Sequence, residues 1–249
     1  MNSLEYAQSL DSQDNIAKAK SLFHIPSKND KDFIYFCGHS LGLQPKSTSD
    51  FVNTELLDWK NLGVLGHFDA QNPWYPYHEF LTKQSANIVG ALEEEVVVMN
   101  SLTVNLHLLL TSFYTPKKNK NKIMIDTPCF PSDRYAINSH IKNNGLDIGK
   151  TLIELTPENN KHLDDDYILQ KIEKYGSETQ LILISAVNYY NGQYYDIEAI
   201  AKKAKEYNCI IGLDLAHAAG NVKLFLHDWG IDFAVWCGYK YLNGGPGAP

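Results

Sequence analysis

The sequence predicts an α/β fold, a mostly parallel sheet with helices on both faces. Three features point there. Short apolar runs rich in β-branched residues recur at 33–37, 96–99, 122–126, 181–187, 209–214 and 232–237. Their near-continuous hydrophobicity suits strands covered on both sides. The longer stretches between them carry apolar residues at helical spacing. Finally, 181–187, 196–208 and 209–214 follow one another as strand, helix and strand, with Ile197, Ile200, Ala201 and Ala204 as the helix's apolar stripe. That is a βαβ unit, whose crossover is right-handed by rule.

The helices have recognisable ends. Ser47 and Asp50 form a capping-box-like start, Val52, Leu56, Trp59 and Leu62 share one face, and Gly63 stops the helix. A second helix runs from Thr103 to Tyr114 and is closed by Pro116. A third opens on Asp164, Asp165 and Asp166, presents Ile168, Ile172 and Tyr175, and ends at Gly176. The acidic triplet reads as favourable charge at a helix N-terminus rather than as a metal site.

Composition narrows the function classes. At 249 residues and 28.1 kDa the chain suits one large domain or two small ones, and 44% apolar residues supply a sizeable core. A net charge of −7 without a basic stripe argues against nucleic-acid binding. Lys117, Lys118, Lys120 and Lys122, interleaved with Asn, read as a solvated loop. Cys37, Cys129, Cys209 and Cys237 include no CxxC pair, and the last two stand in apolar runs as small buried residues. Glu5, Asp11, Asp14 and Lys18 precede any apolar run, so no secretory signal is expected. No apolar stretch approaches the ~18 residues of a membrane span. A reduced, cytoplasmic protein that avoids membranes is the expectation.

Ligands of open α/β sheets bind beyond the carboxyl ends of the strands. Polar residues cluster at those ends here. Asp126 leads into Thr127 and Pro128, Val187 into Asn188, Asp214 into Leu215-Ala216-His217, and Cys237 into Gly238-Tyr239-Lys240. Asp214 would be costly to bury unpaired, so a helix cap or a salt bridge is one explanation for it. With His217 it could instead be half of a metal site, but two ligands without a third carry little weight. Lys240 alone would be a surface lysine. Its neighbours Trp236, Tyr239 and Tyr241 suggest instead a desolvated amine, which becomes a usable nucleophile. An acid at one strand end and a lysine after the next suit pyridoxal phosphate, which needs an amine to bond and an acid for its ring nitrogen. Phe130 can supply the flat neighbour for the ring, and Ser101-Leu102-Thr103 opens a helix that could hold the phosphate.

Longer motifs add a likeness. Residues 37–46 (CGHSLGLQPK), 101–105 (SLTVN), 130–133 (FPSD), 214–218 (DLAHA), 226–230 (LHDWG) and 236–243 (WCGYKYLN) together resemble the kynureninase family. The likeness runs in order from about residue 33 to the end. His39 departs from it, standing where the family has Asn.

The resemblance implies the large domain of a fold-type-I pyridoxal-phosphate enzyme that hydrolyses L-kynurenine or 3-hydroxy-L-kynurenine to an anthranilate and L-alanine. It implies that Lys240 bonds the cofactor, Asp214 pairs with the ring nitrogen, and Phe130 stacks on the ring beside Pro131, Ser132 and Asp133. Leu102 and Thr103 would bind phosphate. Ser185, His217 and Tyr239 would complete the shell, Tyr239 near the phosphate; the proposed chemistry makes Tyr239 also the candidate acid near the departing group. Ser40 and His67 match substrate-pocket positions, and no metal is implied. Residues 1–46 would contribute to the substrate pocket, and 47–249 would form the cofactor-binding domain, incomplete at its C-terminal end. The family forms homodimers and continues past Lys240 with a carboxylate-binding arginine and a small domain. This sequence ends nine residues after that lysine, so these residues alone are expected to be inactive. Two other readings stay open: a truncated non-catalytic relative, and another fold-type-I enzyme such as a cysteine desulfurase or class V aminotransferase.

Overall fold

The computed structural model describes residues 3–156 and 162–248. Its strands are β1 (Ser27–Lys28), β2 (Lys31–Asp32), β3 (Lys122–Asp126), β4 (Leu152–Leu155), β5 (Thr179–Ser185), β6 (Ile210–Asp214) and β7 (Phe233–Val235). Its helices are α1 (Leu4–Gln13), α2 (Thr48–Leu62), α3 (Gly66–Asp69), α4 (Thr82–Val89), α5 (Leu102–Phe113), α6 (Pro131–Asn143), α7 (Ile148–Thr151), α8 (Asp165–Tyr175), α9 (Ile197–Glu206) and α10 (Leu226–Trp229).

Strands β3 to β7 form one five-stranded sheet in the order β4-β3-β5-β6-β7, every pair parallel. Side-chain alternation divides the core in two. Met124, Ile182, Ile184, Ile211 and Leu213 point to one face, where Ile168 and Ile172 of α8 and Ile197, Ile200 and Ala204 of α9 cover them. Ile123, Ile125, Leu181, Leu183, Phe233 and Val235 point to the other, against Leu106 and Leu110 of α5 and Ala136, Ile137 and Ile141 of α6. Most of these side chains are wholly buried, each isoleucine or leucine contributing roughly 2 kcal/mol. The expected helices on both faces are therefore present.

The predicted βαβ unit is also present. Asp196 caps α9 by accepting from Ala199 N, and Asp164 caps α8 by accepting from Asp166 N. Lys120 leaves the solvated-loop role expected of it. Its Nζ donates to the carbonyls of Tyr207 (2.6 Å) and Asn208 (2.8 Å), a cation at the C-terminus of α9. Cys209 and Cys237 are buried.

Other expectations fail for physical reasons. The run 33–37 is not a strand: only β1 and β2 pair nearby, and Ile34 and Phe36 are 86% and 84% exposed. The run 96–99 joins no ladder. A cavity of about 400 Å³ lies beside it, lined also by Phe233 to Trp236 at the sheet's edge. An apolar run supplies strand propensity, but a strand also needs a neighbour for its N–H and C=O groups. The edge strand β4 was not expected, because it is short and Glu154 interrupts its apolar run. Helix α2 begins and ends as predicted, with Gly63 in the left-handed region (φ 54°). Ser47 makes no side-chain cap there, and Val52, Leu56 and Trp59 are exposed rather than buried.

Candidate functional site

The carboxyl end of β6, the loop after β7 and the first turns of α5 and α6 meet around a cavity of about 110 Å³. Leu102 and Thr103 come from α5, and Phe130, Ser132 and Asp133 from the start of α6. Asp214 ends β6, Ala216 and His217 follow it, and Tyr239 and Lys240 come from the loop after β7. Nine residues chosen from sequence thus line one space.

Lys240 is only 8% exposed. Its Nζ lies 3.0 Å from His217 Nε2 and 5.8 Å from the centroid of the Phe130 ring. Burial first, then the Lys240 and His39 charges, pull the His217 pKa down to about 4. A neutral imidazole can accept a proton from an ammonium, and an imidazolium cannot. Burial pushes the Tyr239 hydroxyl up to about 12, so it remains a proton donor at neutral pH.

Asp214 is held by Ala216 N, which donates to its Oδ1 at 2.7 Å. It also shares a side-chain hydrogen bond with Asp133. Two carboxyl groups can bond this way only with a proton between them. Burial and then the Asp214 charge raise the pKa of Asp133, and burial raises that of Asp214 as well, against the Ala216 and Asp133 bonds and the Lys240 charge, which favour its anion. The pair thus shares one proton, and the negative charge it retains can face a cation.

Ser185 pairs in register with Asp214 across β5 and β6 and lines the adjoining cleft. Its N–H and Oγ donate to Asp126, which also receives Asn188 Nδ2 at 3.1 Å and Tyr195 Oη at 3.5 Å. Pro131 is the first residue of α6, where its fixed φ suits a helix start. Ser132 Oγ donates to Asp133 Oδ1 at 3.4 Å.

The 37–42 loop lies directly on the Lys240 loop. Gly42 N donates to Tyr239 O at 2.8 Å, and a Cβ at Gly42 would stand 2.3 Å from Lys240 O. The His39 and His217 rings are 6.4 Å apart, and Ser40, one residue on, does not line the cavity. His67 does not line the cavity. It lies on α3, edge-on to Trp74 at 5.7 Å, and Glu55 of α2 holds Trp74 Nε1 at 2.9 Å. Sequence reasoning missed Tyr189, which meets Phe130 edge-on at 5.1 Å, and Tyr195. Both sit in a polar loop that carried no periodic signal.

The residues fit pyridoxal phosphate. A buried amine, a buried acid and an aromatic plate face one cavity. Ser101 makes no side-chain cap, so the first-turn N–H groups of α5 remain available to an anion. Among the described residues no group of three or more His, Cys, Asp or Glu could hold a metal, and no helix is long and apolar enough to cross a membrane.

Comparisons with known proteins agree with this geometry. The chain is 48% identical over 244 residues to a kynureninase of Koribacter versatilis, covering 97% of this chain and 58% of that protein. It is 44% identical over 258 residues to a kynureninase of Nematostella vectensis, covering 98% and 56%. It thus spans somewhat over half the length of the curated relatives it matches. Among solved structures, a cysteine desulfurase from Escherichia coli superposes with a TM-score of 0.72 at 14% identity, covering 94% of this chain and 56% of that one. One from Thermococcus onnurineus gives 0.65 at 22%, covering 86% and 52%. These two show the shared fold, the large domain of fold-type-I enzymes. The model of the aminotransferase class-V family matches residues 28–248, and the chain belongs to that family.

Proposed function

We propose that this chain is the cofactor-binding part of a kynureninase that uses pyridoxal 5′-phosphate. It hydrolyses L-kynurenine or 3-hydroxy-L-kynurenine to anthranilate or 3-hydroxyanthranilate and L-alanine, a step of tryptophan catabolism toward NAD. The observation that carries this is the meeting of Lys240, Asp214 and Phe130 around one cavity, in a chain 48% identical to a kynureninase.

Bound there, the cofactor supplies an electron sink for negative charge at the carbons next to the substrate's amine. The protein's residues do the rest. Lys240 Nζ would hold the cofactor and, as the free amine, would take the proton from the substrate's α-carbon. Ionised Asp214 keeps the ring nitrogen protonated, and Asp133 gives Asp214 a hydrogen bond. The Phe130 ring stacks on the cofactor beside Pro131 and Ser132, and the N–H groups at Leu102 and Thr103 hold its phosphate. Neutral His217 accepts from Lys240 and so holds the amine in place. Tyr239, still protonated, donates to the departing group. Ser40 and His67 meet the substrate, with residues 1–46 forming one side of its pocket. The enzyme works as a cytoplasmic homodimer.

The test is direct. The complete polypeptide, given pyridoxal phosphate and L-kynurenine, should produce anthranilate fluorescence and an equal amount of alanine. Sulfide or persulfide from cysteine, without anthranilate, would favour a desulfurase. A folded protein that binds the cofactor and turns over neither substrate would be a non-catalytic relative.

A further inference from the structure

Asp126 is a buried carboxylate that the proposed chemistry does not use. It ends β3, is 2% exposed, and among the described residues has no cation as a hydrogen-bond partner. Its partners all lie at the end of β5 or in the loop that follows. Ser185 N donates to Oδ1 at 3.2 Å, while Asn188 Nδ2 (3.1 Å), Ser185 Oγ and Tyr195 Oη (3.5 Å) converge on Oδ2. The backbone N–H and the amide can only donate. A carboxylate surrounded by so many donors is satisfied as an anion. Burial, the largest influence, raises its pKa on balance with a smaller push from the Asp214 charge, and the Ser185 and Asn188 bonds act in favour of the anion. The other ionisable groups that feel its charge are Cys129, Asp133 and Tyr195.

The consequence falls on Ser185. A serine hydroxyl has one proton, and here it is directed at Asp126. What Ser185 can offer the cleft beside Asp214 is then its lone pairs. That cleft, about 10 Å³, is lined by Asp126, Phe130, Asp133, Ser185, Tyr189 and Asp214 and has room for roughly one water. Were the Ser185 proton free, it could turn toward Asp214 and compete there with the cofactor's ring N–H. The strand register brings the two residues side by side, and Ala186 N donates to Asp214 O at 3.0 Å.

We propose that Asp126 is a positioning residue: it takes up the hydroxyl proton of Ser185, so that Ser185 faces Asp214 as an acceptor and leaves Asp214 free to hold a cationic ring nitrogen. This rests on the cofactor reading above and extends it to a residue outside the cofactor cavity.

The experiment compares Asp126→Asn, Ser185→Ala and the double variant in the complete polypeptide. It reads cofactor affinity, the pH titration of the bound cofactor's absorbance, and melting temperature. An asparagine at 126 can donate to Ser185 Oγ and release its proton toward Asp214. Asp126→Asn should then weaken cofactor binding about tenfold, the scale of one hydrogen bond to a charged group, and shift the absorbance titration. In the Ser185→Ala background the same substitution should change neither. An unchanged affinity and titration in folded Asp126→Asn overturns the proposal, as does an effect that persists undiminished without the serine hydroxyl. If Asp126→Asn does not fold, Ser185→Ala alone decides: near-wild-type affinity and titration are expected, since no hydroxyl proton remains to compete at Asp214, and weakened binding with a shifted titration overturns the proposal. Wild-type protein that does not take up the cofactor would overturn the underlying reading as well, which separates the two failures.

Discussion

Lys240 Nζ sits 3.0 Å from Nε2 of His217, and this buried lysine meets an imidazole there rather than a carboxylate. A carboxylate partner would fix the amine as a tightly held ammonium. An imidazole drawn down to about pH 4 stays neutral over the working range and binds the amine less strongly. The arrangement keeps the amine in place while leaving it free to bond a carbonyl carbon.

The same depressed pKa predicts how stability depends on pH. His217 takes up a proton near pH 6.5 when unfolded and only near pH 4 when folded. The unfolded state therefore binds more protons in this window, and stability falls as pH drops through it. His217→Gln removes the contribution. Denaturant unfolding of both proteins should show wild type losing stability relative to His217→Gln between pH 6.5 and pH 4. A constant difference across that range would contradict the assignment.

Asp214→Ala removes the acid assigned to the ring nitrogen. Kynurenine cleavage at saturating cofactor should fall by at least ~100-fold, the scale for one preorganised electrostatic partner. Occupancy is checked by absorbance, so that lost binding is not read as lost chemistry. Near-normal turnover in the loaded variant would refute the role.

Gly42 touches the backbone beside the lysine. A methyl group there would meet Lys240 O and Asn243 Oδ1, each at 2.3 Å, so one loop has to move. Gly42→Ala should cost about 1–3 kcal/mol and weaken cofactor binding through the displaced Lys240 loop. Calorimetry and cofactor titration of the complete polypeptide check both effects; unchanged values in each would contradict the close approach.

Sequence showed most clearly the places where a charge ends an apolar run. Asp214 and Lys240 follow strands whose burial forces an explanation for any charged group, and both line the same cavity. It showed less where pairing decides. Residues 33–37 and 96–99 have strand propensity but no ladder, and Leu152–Leu155 has little propensity but lies against β3. Asp126 was visible as a strand-end acid, yet its partners Ser185, Asn188 and Tyr195 are 59 to 69 residues away in sequence, and only the parallel register of β3 and β5 brings them together. His67 matched a motif position, but its surroundings depend on Trp74 and Glu55, whose hydrogen bond leaves no periodic trace.

The central claim is that the Lys240 cavity holds pyridoxal phosphate through a covalent bond to that lysine. Borohydride reduction of the complete polypeptide, loaded with the cofactor, followed by peptide mapping, tests it most directly. The account predicts a pyridoxyl group on Lys240 and none in Lys240→Ala. A label on any other lysine, or no label in protein that has bound the cofactor, would contradict it.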